Sequence, residues 1–396
     1  MQASPYGTSV KDFRDGYTPR FVRIDVLLLL AALGLIACSM YTIASATTDD
    51  VAGSPDYYWT RQAGYAAVGI VLMALISRID YSRLREWTVG LYGFMIVAIV
   101  AVYAAGSVTR GSKRAIDLGL LQLQTSELGK VLLVLTLSAF VVDRMRRLGE
   151  RETTSRIMLL ALVPAMLVIA QPDLGTGLVY VTIALATLFV AGTPWTHFAA
   201  LGGLAAIAVS VVIVAAPAVG VEVLKPYQMD RLTAFVDPAE NPAEEGYQQT
   251  QSLVAIGAGG KTGRGEEATQ TKLDFLPEHH TDFVFSVVGE EFGFIGAALV
   301  LSLFALLIWR CLRILTMSKN LYGTLVAGGI TEMLMHQIFV NVGMTIGIMP
   351  ITGVTLPLMS YGGSSVIVTF MAIGLLQSIH AQARETAFAK GREQAL

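Results

Sequence analysis

The apolar run VLLLLAALGLIACSMYTIASA, residues 26–46, decides the class of fold. It has no charged side chain and is long enough for a helix to cross a hydrocarbon core of about 30 Å. Similar runs recur along the 396-residue chain, in which 54% of the residues are apolar and 15% are charged. A soluble domain of this composition would need an unusually large core, so the sequence predicts an all-α, polytopic membrane protein.

We predict about ten transmembrane helices, from the length of each apolar run. They lie near residues 25–46, 61–79, 87–106, 126–142, 155–171, 174–192, 198–219, 284–309, 321–347 and 360–380. Only Gln171-Pro172-Asp173 separates the fifth helix from the sixth, which predicts an abrupt hairpin or a broken helix.

The distribution of Lys and Arg predicts the orientation in an inner (cytoplasmic) membrane. With the N-terminus inside, the inner segments carry eighteen Lys and Arg residues and the outer segments nine, so both termini are expected in the cytoplasm. Residues 1–24 and 381–396 are then cytoplasmic, and residues 220–283 form a large extracytoplasmic loop between helices seven and eight. Ala44-Ser45-Ala46 imitates a signal-peptidase site, but the long apolar run favours a retained helix. We treat residues 1–396 as one transmembrane domain.

Composition also excludes several classes of function. The formal net charge is -2, from 28 basic and 30 acidic residues, so no nucleic-acid partner is expected. Cys38 and Cys311 lie in separate apolar runs without ligand spacing, which argues against a disulfide or a structural zinc site.

The segment with the most acidic and imidazole side chains is LDFLPEHHTDFVFSVVGEE, residues 273–291. Asp282 lies where the eighth helix begins at the outer boundary. One interpretation is that Thr281 or Asp282 only caps this helix. The other is that burial beside Phe283 and Phe285 raises the pKa of Asp282 and makes it a general base.

Two segments resemble ligand-binding motifs, but we do not interpret either as a binding site. Glu278, His279, His280 and Asp282 are metal-ligand types, but adjacent histidines point in different directions and no distant third ligand is evident, so we predict no protein metal site. Gly260-Lys261-Thr262 resembles the end of a phosphate-binding loop without its strand and helix context. The glycines of this region, Gly257, Gly259, Gly260, Gly263 and Gly265, are interpreted as turn-forming positions.

Charged residues also occur in or near the predicted helices. Glu127 and Lys130 are three residues apart on the fourth helix, which predicts a pair with either a functional or a structural role. Arg114, with Arg110 and Lys113, places positive charge outside, as a phosphate ligand would require. Asp173 is expected to cap the sixth helix.

The glycine- and serine-rich segment 360–365 opens the last predicted helix. Its free backbone N–H groups suit an anion, whereas its small side chains equally suit close helix packing. Both interpretations stay open.

Taken together, these motifs resemble the SEDS family of shape, elongation, division and sporulation proteins. The resemblance covers nearly the whole chain and rests on residues 171–176, 225–228, 246–252, 275–285 and 360–365, with residues 341–347 and 349–353 closer to the elongation branch.

The resemblance implies a peptidoglycan glycosyltransferase that polymerises lipid II into glycan strands and releases undecaprenyl diphosphate on the outer face. Asp282 matches the catalytic aspartate of the family and would act as general base. Basic residues or a divalent cation, Mg²⁺ or Mn²⁺, would stabilise the diphosphate. A class B penicillin-binding protein is the implied partner. We name as candidate substrate-binding residues Arg114, Glu127, Lys130, Asp173, Lys225, Arg231, Gln251, Ser252, Glu278, His280, Ser360 and Ser364.

The chain departs from the family pattern at two positions. Ala115 replaces the usual Trp, which removes an amphipathic anchor, and Thr125 replaces the usual Pro, which is expected to relax the entry to the fourth helix. A lipid II flippase, which also needs a polar cavity, and a scaffold for the penicillin-binding partner remain alternatives.

Overall fold

A computed structural model of the chain describes residues 24–47, 54–105, 107–109, 112–117, 122–215, 245–272, 275–276 and 279–393. The helices are α1 (Val26–Ala46), α2 (Tyr57–Ile76), α3 (Thr88–Ala105), α4 (Thr125–Asp143), α5 (Arg151–Ala170), α6 (Leu174–Val190), α7 (Trp195–Ser210), α8 (Glu245–Gly259), α9 (Thr269–Lys272), α10 (Val284–Met317), α11 (Leu321–Thr345) and α12 (Gly363–Glu393). Short 3₁₀ segments lie at Tyr81–Trp87, Met145–Arg147 and Gly265–Glu267, and a π-turn at Val211–Ala215 continues α7.

The helices confirm the prediction of a polytopic membrane protein with about ten spans. Within the described ranges, nine helices are long and apolar enough to cross a membrane, and the shorter apolar helix α6 is a tenth. Large apolar side chains such as Val89, Leu204 and Phe294 are mostly exposed on the outside of the bundle. An apolar exterior is expected where lipid is the solvent, because lipid tails are as apolar as these side chains.

Two of the predicted spans extend well past their predicted ends. The span predicted at 284–309 is α10, which extends to Met317 and is interrupted at Gly293, where φ is 64° and ψ is -158°. The last span does not end near residue 380, because α12 continues to Glu393 through a segment rich in Ala, Gln, Arg and Glu, which are strong helix formers. The predicted tail is therefore largely helical.

A small antiparallel sheet connects α3 to α4 and was not predicted. Its strands are β1 (Ser107–Thr109), β2 (Ser112–Asp117) and β3 (Gln122–Leu123), in the order β1-β2-β3. Val108 pairs with Lys113, and Ile116 pairs with Leu123. The strands are too short to change the all-α class, but they position the residues that precede α4.

The bundle has two opposite ends, which we name by Asp282 and Asp25. At the Asp25 end, the buried Asp25 carboxylate accepts from Arg310 Nε and Nη2 at 3.0 and 2.5 Å. The Gln377 amide meets the Asp25 backbone through two hydrogen bonds of 2.8 and 2.9 Å. These contacts join α1, α10 and α12, because Arg310 lies on α10 and Gln377 on α12. The N-termini of α2, α4, α6, α10 and α12 all lie at the Asp282 end.

Candidate functional site

Asp282 lies immediately before α10 and is half-buried. The Asn341 side chain of α11, which is completely buried, donates through Nδ2 to the backbone oxygen of Asp282 at 2.8 Å and to that of Val354 at 2.8 Å. The N-cap position of α10 is Phe283, so the interpretation of Thr281 or Asp282 as the N-cap is wrong. Asn341 thus holds the main chain of Asp282 at a defined place against α11 and the segment that follows it.

The described part of the predicted outer loop packs against α10. Ser252 of α8 is completely buried, and its hydroxyl bonds to Ser286 Oγ at 2.6 Å and to the backbone oxygen of Thr345 at 2.7 Å. Ser252 therefore lies in the contact of α8 with α10 and α11, and its neighbour Gln251 is half-buried.

A buried glutamate fixes α9 to the same helix. Glu290 Oε1 accepts from the backbone N–H groups of Thr269 and Gln270, each at 2.8 Å. Its Oε2 accepts from the backbone and hydroxyl of Thr271 at 3.0 and 2.7 Å. One carboxylate thereby satisfies the free donors at the start of α9. The sequence showed Glu290 only as one more acidic residue of a charged segment.

The glycines of the loop permit close backbone contact, as well as turns. Gly260, Gly263 and Gly265 have positive φ values of 54°, 84° and 56°, which confirms the turn interpretation at those positions. A Cβ on Gly263 would lie 2.0 Å from the backbone oxygen of Glu291. Gly257, by contrast, lies within α8 and has open space around it.

A second group of polar residues surrounds Asp173. Asp173 caps α6, as predicted, because its Oδ1 accepts from the Thr176 backbone N–H at 3.2 Å. Its Oδ2 accepts from Gln124 Nε2 at 3.1 Å and from Ser126 Oγ at 3.3 Å. The backbone N–H of Gln124 donates in turn to Ser364 Oγ at 2.8 Å. The starts of α4, α6 and α12 therefore meet through Gln124, which the sequence did not single out as a site residue.

These contacts also hold the entry to α4. Thr125 takes the first position of the helix, and the preceding Gln124 has an extended conformation with φ -86° and ψ 106°. Ser364 Oγ donates to the Gln122 backbone oxygen at 2.7 Å, which fixes β3 to the start of α12. The loss of the usual proline is therefore accompanied by an ordered helix entry in place of the relaxed one we expected.

The predicted Glu127–Lys130 pair is confirmed one turn further along α4. Lys130 Nζ donates to Glu127 Oε1 at 2.8 Å, and both side chains are almost completely buried. With the amide of Gln337 oriented so that its oxygen faces Lys130, this oxygen also accepts from Nζ at 2.8 Å. Gln337 and Asn341 are four residues apart on α11, so the same face of α11 contacts both Lys130 and the Asp282 main chain.

The remaining predicted residues lie in different parts of the structure. Ser360 is buried and its hydroxyl accepts from the Leu356 backbone N–H at 2.8 Å, so it stabilises the turn before α12. His280 lies two residues before Asp282 and is half-buried among aromatic rings. Arg114 lies on β2, close along the chain to the start of α4. Lys225, Arg231 and Glu278 lie outside the described residues.

Where the structure describes the chain, no group of three or more His, Cys, Asp or Glu side chains is arranged to hold a metal ion.

Comparisons with known sequences place the chain among bacterial relatives of nearly equal length. A family model described as cell cycle protein, FtsW/RodA/SpoVE, matches residues 21–385. The chain is 37% identical to the peptidoglycan glycosyltransferase MrdB of Escherichia coli strain K12 over 362 residues, which cover 91% of this chain and 94% of that relative. It is 34% identical to the stage V sporulation protein E of Bacillus subtilis strain 168 over 370 residues, which cover 93% and 98%.

Solved structures show the same fold. A chain from a peptidoglycan synthase complex, described as coordinating polymerization and crosslinking, superposes with a TM-score of 0.77 at 32% identity and covers 91% of this chain and 98% of that one. The rod shape determining protein RodA of Thermus thermophilus gives a TM-score of 0.65 at 29% identity, with 91% and 98% covered. On the family match and the near-complete length of the relatives, this chain belongs to the FtsW/RodA/SpoVE family of cell cycle proteins.

Proposed function

We propose that this protein is a peptidoglycan glycosyltransferase that polymerises lipid II into glycan strands during cell elongation. The observation that carries the proposal is the position of Asp282, half-buried at the end of the bundle and held through its main chain by Asn341. The family membership and the E. coli relative of that name support the same activity.

In this reaction Asp282 acts as the general base. Its carboxylate takes the proton of the sugar 4-hydroxyl, and the freed oxygen attacks the anomeric carbon of the second substrate. The bond from that carbon to the diphosphate breaks as the new glycosidic bond forms. Undecaprenyl diphosphate leaves with the electron pair, and Asp282 returns the proton to solvent. A separation of about 3 Å between base and hydroxyl is required at the moment of transfer.

The polar residues near the start of α4 are proposed to bind the diphosphate. Lys130 is the buried cation of this region, and Arg114 on β2 is a second candidate because a guanidinium binds phosphate oxygens in a bidentate fork. Glu127 orients the Lys130 ammonium, and Asp173 orients the side chains of Gln124 and Ser126 at the start of α4. Ser364 and Ser360 shape the start of α12. A divalent cation, if it assists, would arrive bound to the diphosphate of the substrate.

We further propose that the protein lies in the inner membrane with the Asp282 end outside and both termini in the cytoplasm. The excess of Lys and Arg in the segments at the Asp25 end supports this orientation. A class B penicillin-binding protein is the proposed partner, because the similar chain in the peptidoglycan synthase complex belongs to an assembly that couples polymerization to crosslinking.

The test is polymerisation of labelled lipid II by the purified protein, with and without the cognate penicillin-binding protein, and with Mg²⁺, Mn²⁺ or a chelator. Wild type is expected to give glycan ladders, and Asp282→Ala to give none while it still folds and binds the partner. Asp56→Ala is the matched control, since Asp56 is an exposed carboxylate at the same end of the bundle. Absence of ladders from wild type under every condition would refute the polymerase.

The two alternatives predict other results for the same variants. A flippase would move lipid II across a vesicle membrane equally well with Asp282→Ala. A scaffold would support the activity of its partner with Asp282→Ala as well as wild type does. Loss of ladders in this variant, with ladders kept in Asp56→Ala, is expected only of the enzyme.

A further inference from the structure

Aromatic rings from three segments meet at His280, two residues before Asp282 in the chain. Tyr58 of α2 lies 4.5 Å from the His280 ring and 5.0 Å from the Tyr361 ring, measured between centroids. His280 and Tyr361 are 5.8 Å apart. We call these three side chains the aromatic cluster. Tyr57 extends it, with its ring 5.1 Å from Tyr58, and so does Tyr65, at 6.2 Å from Tyr361.

The aromatic cluster rests on a rigid base. The Tyr361 backbone N–H donates to the His280 backbone oxygen at 2.8 Å, which joins the start of α12 directly to the Asp282 segment. The buried Gln62 side chain donates to the Ser360 backbone oxygen at 3.2 Å. Ser39 donates to the Met359 backbone oxygen at 2.7 Å. The main chain that carries His280 and Tyr361 is therefore fixed by hydrogen bonds, which lowers the cost of ordering these two rings around a ligand.

The cluster has both apolar faces and polar edges. Tyr58, His280 and Tyr361 are all half-buried, so part of each ring surface is accessible. Burial raises the pKa of the Tyr361 hydroxyl, which keeps this group protonated and able to donate a hydrogen bond. The Arg61 guanidinium lies over the Tyr57 ring at 4.4 Å and adds a donor group at the margin.

A membrane-interface belt is the ordinary role of aromatic residues at a helix end. Trp59 fits that role, with an exposure of 38%. The cluster differs from Trp59 in two respects. Its rings contact one another from separate segments, and one of them is His280, which precedes Asp282 by two residues. A belt residue has no need of either arrangement.

We propose that Tyr58, His280 and Tyr361 form a carbohydrate-stacking surface that holds the sugar rings of the glycan next to Asp282. A pyranose of an N-acetylhexosamine has a C–H face that fits against an aromatic ring and a rim of hydroxyl and amide groups that bonds to polar edges. The inference rests on the proposed glycosyltransferase function. It adds a sugar subsite to the proposed base and diphosphate region.

The first test measures the binding of chitohexaose, a soluble β-1,4-linked N-acetylglucosamine oligosaccharide, to the purified full-length protein. Tyr58→Leu is expected to weaken binding about three- to tenfold, because one aromatic contact is lost. Tyr58→Phe keeps the ring and is expected to bind like wild type. Trp59→Leu is the matched control, because it removes an exposed aromatic residue of the same helix.

The same variants are then compared for the length of the glycan strands made from lipid II. Tyr58→Leu is expected to release shorter strands, since the growing chain dissociates sooner, while Trp59→Leu keeps the wild-type length distribution. Tyr361→Leu replaces Tyr58→Leu if the latter fails to fold, as judged by its melting temperature.

Two outcomes are distinguishable. Unchanged oligosaccharide binding and strand length in Tyr58→Leu, or an equal loss in Trp59→Leu, would overturn this inference and leave the polymerase intact. Absence of polymerisation in wild type would count against the proposed function itself.

Discussion

At the scale of single residues, Asn341 is a buried side chain that holds the main chain of the candidate base. Its Nδ2 bonds to two backbone oxygens, one in the Asp282 segment and one in the segment before α12. A primary amide is one of the few neutral groups that can donate twice from one atom. Replacement would release Asp282 and Val354 together without touching the carboxylate itself.

Asn341→Asp is therefore expected to lower kcat by about ten- to a hundredfold with little change in KM, because the carboxylate has no N–H to donate and a displacement of about 1 Å at a base has effects of this size. Kinetics of lipid II polymerisation provide the measurement. Gln377→Glu is the control, since Gln377 donates to the Asp25 backbone oxygen at the opposite end. A similar fall in kcat for both variants would show a general loss of stability.

The buried Glu127–Lys130 pair gives a second prediction at this scale. Glu127→Gln leaves Lys130 as a buried, uncompensated charge and is expected to cost about 3–5 kcal/mol of stability. Glu152→Gln breaks an ion pair with Arg156 whose side chains are more than half exposed, and is expected to cost less than about 1 kcal/mol. Melting temperatures in detergent compare the two. Equal effects would contradict the buried-pair interpretation, and Glu127→Gln with Lys130→Met is expected to recover much of the loss.

At the scale of elements, the interruption of α10 is what allows the described loop to pack on the bundle. Gly293 has a non-helical backbone conformation. A Cβ on Gly293 would lie 2.3 Å from the Gly263 backbone nitrogen, so only glycine allows the loop to approach this closely. The Phe294 and Ile295 backbone N–H groups donate to Gly260 and Lys261 oxygens at 2.9 and 3.2 Å. Main-chain groups released by the break are thus satisfied by the loop, as a membrane protein requires.

Gly263→Ala is expected to destabilise the protein by about 1–3 kcal/mol, because the new methyl group meets the Glu291 backbone and φ is positive. The effect is measured by the melting temperature and by the rate of proteolysis between residues 245 and 272. Gly257→Ala provides the matched comparison, since its site in α8 is open and alanine favours a helix. Proteolysis equally fast in both variants would contradict the packing argument.

At the scale of the whole molecule, the two ends of the bundle are built for different purposes. The Asp25 end is closed by the Asp25–Arg310 pair and the Gln377 amide, which join three helices. The Asp282 end carries the sheet, the described part of the loop and the candidate site residues. A separation of this kind suits an enzyme whose substrate and product stay on one side of a membrane.

The proposed orientation is tested with cysteine labelling in a background in which Cys38 and Cys311 are replaced. Asp56→Cys lies at the Asp282 end and is expected to react with a membrane-impermeant maleimide applied from outside the inner membrane. Arg384→Cys, on the exposed part of α12 at the other end, is expected to react only after the membrane is opened. The reverse labelling pattern would show that the topology is inverted and would contradict the proposed access of Asp282 to lipid II on the outer face.

The sequence by itself determined the class of fold, about ten spans, the Glu127–Lys130 pair and the capping role of Asp173. The fold class and the spans follow from the length of the apolar runs. The pair and the cap each join residues that are three apart in the chain, so local sequence is enough to predict them. Only the tertiary structure decided that Asn341 holds Asp282, that Gln124 joins Asp173 to Ser364, and that Tyr58 meets His280. Such partners are separated by 49 to 240 residues, and their meeting depends on how the helices pack, which no local pattern in one sequence specifies.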